Sequence, residues 1–312
     1  MNRLVVAIVG PTATGKSGAA LQLAQTLGGE IVNADSRQIY RGMDIGTAKP
    51  TAEERKRIPH HLYDICDPRE TFSLALFKQH ALAAFEKIWA KGSFAWLVGG
   101  TGQYVWGLLE DWNVPEVPPD EPLRAELTAF AEANGPDALH ERLRAVDPIA
   151  AERIDARNIR RVVRALEVHF HTGTPISTWQ TKGSPGFQFI TFGLKVERDE
   201  LDRRIDARVD AMFRQGFVDE VRTLIDGGVP REVPAMSSIG YAQVAAHLAG
   251  EISLAEAVES TQRATRKLAR RQQMWFRADD SRIQWVRSAD AMEMEANIFT
   301  GVCANAVRGT HR

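Results

Sequence analysis

The stretch Leu4-Val5-Val6-Ala7-Ile8-Val9-Gly10-Pro11-Thr12-Ala13-Thr14-Gly15-Lys16-Ser17 decides the fold. Leu4 to Val9 is an unbroken apolar run, the pattern of a parallel strand buried on both faces. Gly10 to Ser17 matches G-x-x-x-x-G-K-[ST] at every fixed position. Ser17 to Leu27 then reads as a helix, with Ala20, Leu21, Ala24 and Leu27 on one face and Gly28-Gly29 stopping it. A strand that runs through such a loop into a helix is a phosphate cradle. Glycines let backbone N–H groups turn inward, and the helix N-terminus adds positive potential. Lys16 supplies a point charge to the terminal phosphates, and Ser17 offers its hydroxyl to Mg²⁺. Gly10, Pro11, Thr12, Ala13, Thr14, Gly15, Lys16 and Ser17 are therefore expected to bind a diphosphate or triphosphate.

Strand and helix patterns alternate outward from this loop. Glu30 to Asn33 reads as a second strand with Asp35 just past its end. Thr71 to Lys91 reads as a helix, with Leu74, Phe77, Ala81, Ala84, Phe85 and Ile88 at helical spacing. Phe94 to Val98 reads as a third strand closed by Gly99-Gly100-Thr101-Gly102. This alternation predicts an α/β fold, a P-loop NTPase-like doubly wound parallel sheet. Ligands in such sheets sit beyond the carboxyl ends of the strands, where Gly10, Asp35 and Thr101 all fall. The texture changes at Val114-Pro115-Glu116-Val117-Pro118-Pro119, which fits neither a helix nor a central strand. Short helical patterns follow, until Gly183-Ser184-Pro185-Gly186 breaks the chain again. Phe187 to Val196 is strand-like, and a long helical pattern starts at Glu197. The expected division is a catalytic core of 1–115 and 187–312 with a helical insertion at 116–186. The tail from about Thr300 has little pattern and is expected to fray.

Composition narrows the function classes. Across 312 residues, 44% are apolar and 25% charged, the balance of a soluble globular chain. The net charge of −1 announces no nucleic-acid partner, so any basic surface must be local. Cys66 and Cys303 are far apart, which argues against a zinc ribbon and against a disulfide framework. No apolar run approaches a membrane span, and the chain reads as a cytoplasmic monomer.

Three further features carry chemistry. Asp35-Ser36-Arg37-Gln38 offers a general base or metal-shell carboxylate, a phosphate-binding arginine and an amide that can read a base edge, or else a helix N-cap. Gly99-Gly100-Thr101-Gly102 leaves bare backbone and one hydroxyl toward the ligand space, or is an ordinary tight turn. Arg157, Arg160, Arg161 and Arg164 share one helical face, and Arg263, Arg266, Lys267, Arg270 and Arg271 repeat that spacing. Such stripes need anionic neutralisation from RNA phosphate or from acids such as Asp155, Glu167 and Glu259. Trp275 and Phe276 follow the second stripe and read as core packing rather than base stacking, and the histidines, His60 and His61 included, show no metal spacing. A motor or switch NTPase needs an acid ending an apolar strand to hold Mg²⁺, and Phe94 to Val98 ends in glycines instead.

Together these residues resemble the bacterial tRNA dimethylallyltransferases, or tRNA isopentenyltransferases. The resemblance rests on GPTATGKS at 10–17, NADSRQIYRGMDIGTAKP at 33–50, PHHLYDI at 59–65, LVGGTGQY at 97–104, RNIRRVVRALEV at 157–168, RRIDARVDAMFRQGFVDEV at 203–221, SIGYAQV at 238–244 and TRKLARRQQMWFR at 265–277. It implies transfer of a dimethylallyl group from dimethylallyl diphosphate, with Mg²⁺, to N6 of the adenine 3′ of the anticodon. By the resemblance, Thr12 to Ser17 hold the diphosphate, Arg208 contacts it, Asp35 is the general base and Thr101 lies near the reacting centre. The tRNA anticodon stem-loop would meet Asp35, Ser36, Arg37, Gln38 and Thr101. It would also meet Arg160, Arg161, Val162, Val163 and Arg164, together with Ser237, Ser238, Ile239, Gly240, Tyr241 and Ala242. The insertion would clamp the anticodon arm. Gln103 departs from the leucine or methionine frequent at that place in the family, which bears on the shape of the allyl channel. The alternatives are a P-loop small-molecule or nucleoside kinase, a transferase that prenylates free adenine nucleotides, and an RNA-binding protein with a degenerate P-loop.

Overall fold

The computed structural model describes residues 3–287 except Gln180, and then residues 289, 291–293 and 296. The tail from about Thr300 lies outside the described residues. The chain divides into two compact units, 1–109 with 185–312, and 110–184. The smaller unit thus takes in the residues from 110, ahead of the proline run.

In chain order the larger unit opens with β1 (Leu4–Val9), α1 (Lys16–Leu27), β2 (Glu30–Asn33), α2 (Ala52–Arg57), β3 (His60–His61), α3 (Leu74–Ala90), β4 (Ala95–Gly99) and α4 (Gly102–Leu109). The smaller unit follows with α5 (Glu121–Asn134), α6 (Pro136–Val146), α7 (Pro148–Arg153), α8 (Ile159–Thr172) and α9 (Ile176–Trp179). The larger unit resumes with β5 (Gln188–Leu194), α10 (Arg198–Arg214), α11 (Phe217–Asp226), α12 (Tyr241–Leu248), α13 (Leu254–Trp275) and β6 (Gln284–Val286). The strand predicted at Phe94–Val98 is thus β4, because His60–His61 forms a two-residue edge strand too short to show periodicity.

Among the described residues the six strands form one parallel sheet in the order β3-β2-β4-β1-β5-β6. Every residue of β1 is buried, as its unbroken apolar run requires. Register sets the positions of the strand ends. Val9 pairs with Gly99, and Asn33 pairs with Val98. The phosphate loop, the Asp35 turn and the Thr101 turn therefore leave the sheet side by side, at the edge where such sheets bind ligands.

Helix ends follow local chemistry. The Ser73 hydroxyl accepts from Leu76 N–H at 3.2 Å and starts α3, which buries the predicted face of Leu74, Phe77, Ala81, Ala84, Phe85 and Ile88. One apolar layer packs α1 on the sheet through Ala20, Leu23, Ile8, Trp96 and Phe192. A second lies around Phe217 and Tyr241, with Ile39, Tyr40 and Met236. In the smaller unit, Leu127, Leu139, Leu143, Val162 and Leu166 form a separate core. There Glu167 is fully buried, and its carboxylate accepts from Arg124 Nε at 2.8 Å and Nη2 at 3.0 Å, from Arg164 Nη1 at 2.5 Å, and from Asp120 N–H at 2.8 Å. Such a buried charge is tolerated only when it is fully hydrogen-bonded.

Phe217 carries much of the second layer. Its ring meets Tyr241 edge-on at 5.0 Å and Phe213 at 5.5 Å, and it occupies the space a Cβ would need at Gly46 and at Gly240. We expect Phe217→Ala to destabilise the larger unit by about 3–5 kcal/mol, the usual range for emptying an aromatic core site. Urea unfolding of wild type and variant measures it, and a change below about 1 kcal/mol would refute this packing role.

Candidate active site

The phosphate loop bends inward through positive φ at Gly10 (131°), Ala13 (63°) and Gly15 (95°). Thr14 Oγ1 donates to Pro11 O at 3.0 Å, and Lys16 Nζ donates to the same oxygen at 2.5 Å. Lys16 is thus held over the loop with no carboxylate bonded to it among the described residues. Its surroundings strip water from the ammonium and push its pKa down to about 7, with Asp35 opposing that shift and Arg208 reinforcing it. Arg208 comes from α10 and points Nη1 at Thr12 Oγ1, 3.4 Å away. Burial also lowers the Arg208 pKa, against the pull of Asp35. Two cations and one carboxylate therefore share the site, leaving it short of negative charge until an anion arrives.

Asp35 is not a helix cap. Its Oδ1 accepts from Arg37 N–H at 2.9 Å, a turn without a following helix. Asn33, fully buried, holds the Asp35 backbone on both sides: Oδ1 accepts from Asp35 N–H at 2.9 Å, and Nδ2 donates to Asp35 O at 3.0 Å. Thr101 Oγ1 accepts from Ser36 N–H at 3.0 Å and donates to Ser36 Oγ at 3.3 Å. The Asp35 and Thr101 turns are therefore bonded to each other directly.

The glycines of the Thr101 turn are bare for a reason the sequence does not show. A Cβ at Gly99 would run into the Ala34 backbone, one at Gly100 into the Gln272 amide, and one at Gly102 into the Trp275 ring. They make room for protein atoms, not for a ligand, which corrects the expectation of open backbone there.

Gln38 also differs from expectation. Its Nε2 donates to Thr47 O at 2.9 Å and Ala48 O at 3.2 Å, so only the amide carbonyl remains to read a base. Arg37 Nη1 donates to Pro234 O at 2.9 Å, which brings the Ser237–Ala242 turn beside this block and leaves its other N–H donors for an anion. Within that turn Ser237 and Ala242 are exposed. Ser238 and Tyr241 are core residues: Ser238 Oγ donates to Ala235 O at 2.5 Å, and Tyr241 Oη donates to Glu220 at 2.6 Å. Gly240 is buried at φ 89° against Phe217, and Ile239 is half-buried. A surface ligand meets the backbone of this turn and few of its side chains.

The two basic stripes are partly neutralised. On α8, Arg157 pairs with Asp155 at 2.7 Å and Arg164 with Glu167, whereas Arg160 and Arg161 are exposed with no ion pair among the described residues. Val162 and Val163 lie in the core of the smaller unit, so helical periodicity turns their side chains away from any surface partner. On α13, Arg263 pairs with Glu259 at 2.9 Å and Arg266 with Asp206. Lys267, Arg270 and Arg271 remain exposed without an ion pair among the described residues. Phe276 is core, and Trp275 is partly exposed while packing on Gly102.

Two residues outside the predicted set also support the site. Gln272 on α13 accepts from Thr12 N–H at 2.8 Å and donates to Gly100 O at 3.0 Å. Glu220 on α11 accepts from Asp44, Ile45 and Gly46 N–H at 2.9, 2.6 and 3.2 Å, fixing the loop whose carbonyls hold Gln38. Both lie in segments that carry the family resemblance, 265–277 and 203–221, but no spacing or charge pattern there gives either a role.

Residues 38–279 match the family model for IPP transferase, and residues 3–63 match that for isopentenyl transferase. The chain is 50% identical over 273 residues to the tRNA dimethylallyltransferase of Thermomicrobium roseum, covering 88% of this chain and 83% of that one. It is 52% identical over 277 residues to that of Chloroflexus aggregans, covering 89% and 93%. The chain belongs to the tRNA dimethylallyltransferase family. The fold agrees. A tRNA isopentenylpyrophosphate transferase from Bacillus halodurans superposes with a TM-score of 0.71 at 40% identity, covering 100% of both chains. A eukaryotic dimethylallyltransferase acting on tRNA superposes with a TM-score of 0.76 at 26% identity, covering 98% of this chain and 80% of that one. Membership in this family sets the kinase alternative aside.

The lowered Lys16 pKa has a measurable consequence. With its pKa near 7, Lys16 loses its charge in the free protein as pH rises, and a bound diphosphate draws the proton back. Diphosphate affinity is expected to fall as pH rises above about 7, and Lys16→Arg, which stays charged, should flatten that fall. Titration calorimetry across pH 6 to about 9 decides it; identical pH dependence in both proteins would rule the effect out.

Proposed function

We propose that this chain transfers the dimethylallyl group of dimethylallyl diphosphate to N6 of the adenine 3′ of the anticodon in tRNA, releasing diphosphate. The observation that supports this most is the convergence of a charge-poor carboxylate turn and a cation-rich phosphate loop. Asp35 and Thr101 are bonded through Ser36, while Lys16 and Arg208 face the loop beside them. A kinase site also binds phosphates, so the convergence is read together with family membership.

In this reading N6 attacks C1 of the allyl group as the C1–O bond to diphosphate breaks. The bonding pair leaves on diphosphate oxygen, where the loop N–H groups, Lys16 and Arg208 stabilise the developing charge. Asp35 takes the N6 proton; its second carboxylate oxygen has no bond among the described residues. Thr101 orients the attacking amine through the hydroxyl it shares with Ser36.

The Ser17 hydroxyl is exposed at the start of α1 and has no bond among the described residues, which fits one ligand of a hard cation riding on diphosphate oxygens. No cluster of three or more His, Cys, Asp or Glu that could cage a metal occurs among the described residues, so diphosphate and water would supply the other ligands. Mg²⁺ there would neutralise leaving-group charge.

An adenine stacked in a loop cannot reach a site at the sheet edge, so the base must leave its stack. Arg160 and Arg161 on α8 would meet phosphates of the anticodon arm, which gives the smaller unit its proposed role as a clamp. Among the described residues no helix is long and apolar enough to cross a membrane. We read the protein as a cytoplasmic monomer.

Labelled dimethylallyl diphosphate, Mg²⁺ and unmodified tRNA with adenines after the anticodon test the reading. Label should enter tRNA but not free AMP, and Asp35→Ala should lower transfer by about 10²–10⁴-fold, far more than it weakens tRNA binding. Label entering AMP alone would move the assignment to a nucleotide prenyltransferase, and near-full activity in Asp35→Ala would remove Asp35 as base. Arg161→Ala should weaken tRNA binding and reduce the dependence of log K on log salt by about one contact, roughly 0.7–0.9 units. An unchanged slope would return that stripe to a solvated face.

A further inference from the structure

Gln272 sits two residues past the exposed Arg270 on α13, yet only 8% of it is exposed. Its amide has an acceptor at one end and donors at the other. The acceptor Oε1 takes the Thr12 N–H of the phosphate loop at 2.8 Å, and the donor Nε2 reaches Gly100 O at 3.0 Å, one residue before Thr101. The chemistry of the two backbone partners fixes the amide orientation, because reversing it would set N–H against N–H and oxygen against oxygen. The space is reserved as well: a Cβ at Gly100 would collide with the Gln272 amide.

We infer that Gln272 is a positioning residue that holds the phosphate loop and the Thr101 turn at a fixed separation, so that the leaving diphosphate and the attacking amine line up. This rests on the transfer reaction proposed above. Thr12 lies next to Arg208, and Thr101 is bonded to the Asp35 turn through Ser36. One side chain thus ties the donor loop to the acceptor loop, and neither loop bonds the other directly through Thr12 and Gly100 among the described residues. Its carrier α13 is a 22-residue helix packed on α10, α12 and α4, which gives the bridge a rigid base. A bridge of this kind acts on alignment rather than on binding. Misplacement of a reacting group by about 1 Å can cost on the order of 100-fold in rate.

The test compares wild type, Gln272→Met, Gly100→Ala and the double variant for kcat, for KM of dimethylallyl diphosphate and for tRNA Kd. Gln272→Met keeps length and removes both bonds. It should lower kcat about 10–100-fold with tRNA Kd within about twofold of wild type. Gly100→Ala should cost a similar factor by displacing the amide, and the double variant should be no worse than the poorer single one. Gln272→Glu keeps the acceptor for Thr12 and sets an oxygen against Gly100 O, so it reads the same point should Gln272→Met not fold. A kcat within about twofold of wild type in Gln272→Met or Gln272→Glu, or full additivity in the double variant, overturns the inference. Wild type that transfers nothing to tRNA overturns the proposed function and this inference with it, whereas wild-type transfer with unaffected variants overturns this inference alone.

Discussion

Positive charge without enough negative charge is the constraint on which this site depends. Lys16 and Arg208 are both pushed toward neutrality by their surroundings, and Asp35 is the carboxylate that offsets them. Lys16, a base whose folded pKa is lowered, costs stability in full below about 7, and that cost disappears only above the ordinary lysine range. A polyanion seated in the loop removes it. The fold thus spends part of its stability on a site that becomes comfortable when diphosphate is bound, which is how differential affinity for an anion is built.

The parallel sheet makes that arrangement possible. Pairing of Val9 with Gly99 and of Asn33 with Val98 puts three loop exits on one edge. Contact between them then rests on backbone. Ala34 N–H donates to Val98 O at 2.8 Å, Thr101 N–H donates to Ala34 O at 3.3 Å, and Gly99 has no Cβ because Ala34 passes there. The Asp35 and Thr101 turns are joined by main chain and by the Thr101 hydroxyl, whereas beyond the β1–β4 pairing the phosphate loop is tied to the Thr101 turn by the Gln272 side chain. That difference places the adjustable joint between donor and acceptor on α13, the helix whose outer face carries Lys267, Arg270 and Arg271.

Local chemistry was readable from sequence where one segment sets its own structure. The apolar run before Gly10 gave β1, the Gly-Lys-Ser signature gave the loop, and the period of Leu74 to Ile88 gave the buried face of α3. What depends on distant partners was not readable. Gly99, Gly100 and Gly102 look alike in sequence, yet each is bare for a different neighbour: Ala34, Gln272 and Trp275. Gln38 looks like a base reader, but the loop fixed by Glu220 occupies its amide nitrogen. Val162 and Val163 stand inside a basic stripe in sequence and inside a core in space, because a helix turns 100° per residue and only every third or fourth position shares a face.

The basic stripes give little stability to the protein itself. Arg157 and Arg263 make exposed pairs with Asp155 and Glu259, of a kind that contributes about 0–1 kcal/mol. Arg164 is different: it helps to neutralise Glu167 in a buried, fully bonded cluster, and removing it would leave a carboxylate short of a partner. Within one stripe, then, Arg164 belongs to the fold while Arg160 and Arg161 are free to meet an external anion. A stripe read as a single RNA-binding unit conceals that division, and the division follows from burial rather than from spacing. Loss of Arg164 would act first through the core of the smaller unit, whereas loss of Arg161 would remove an exposed charge with no ion pair among the described residues.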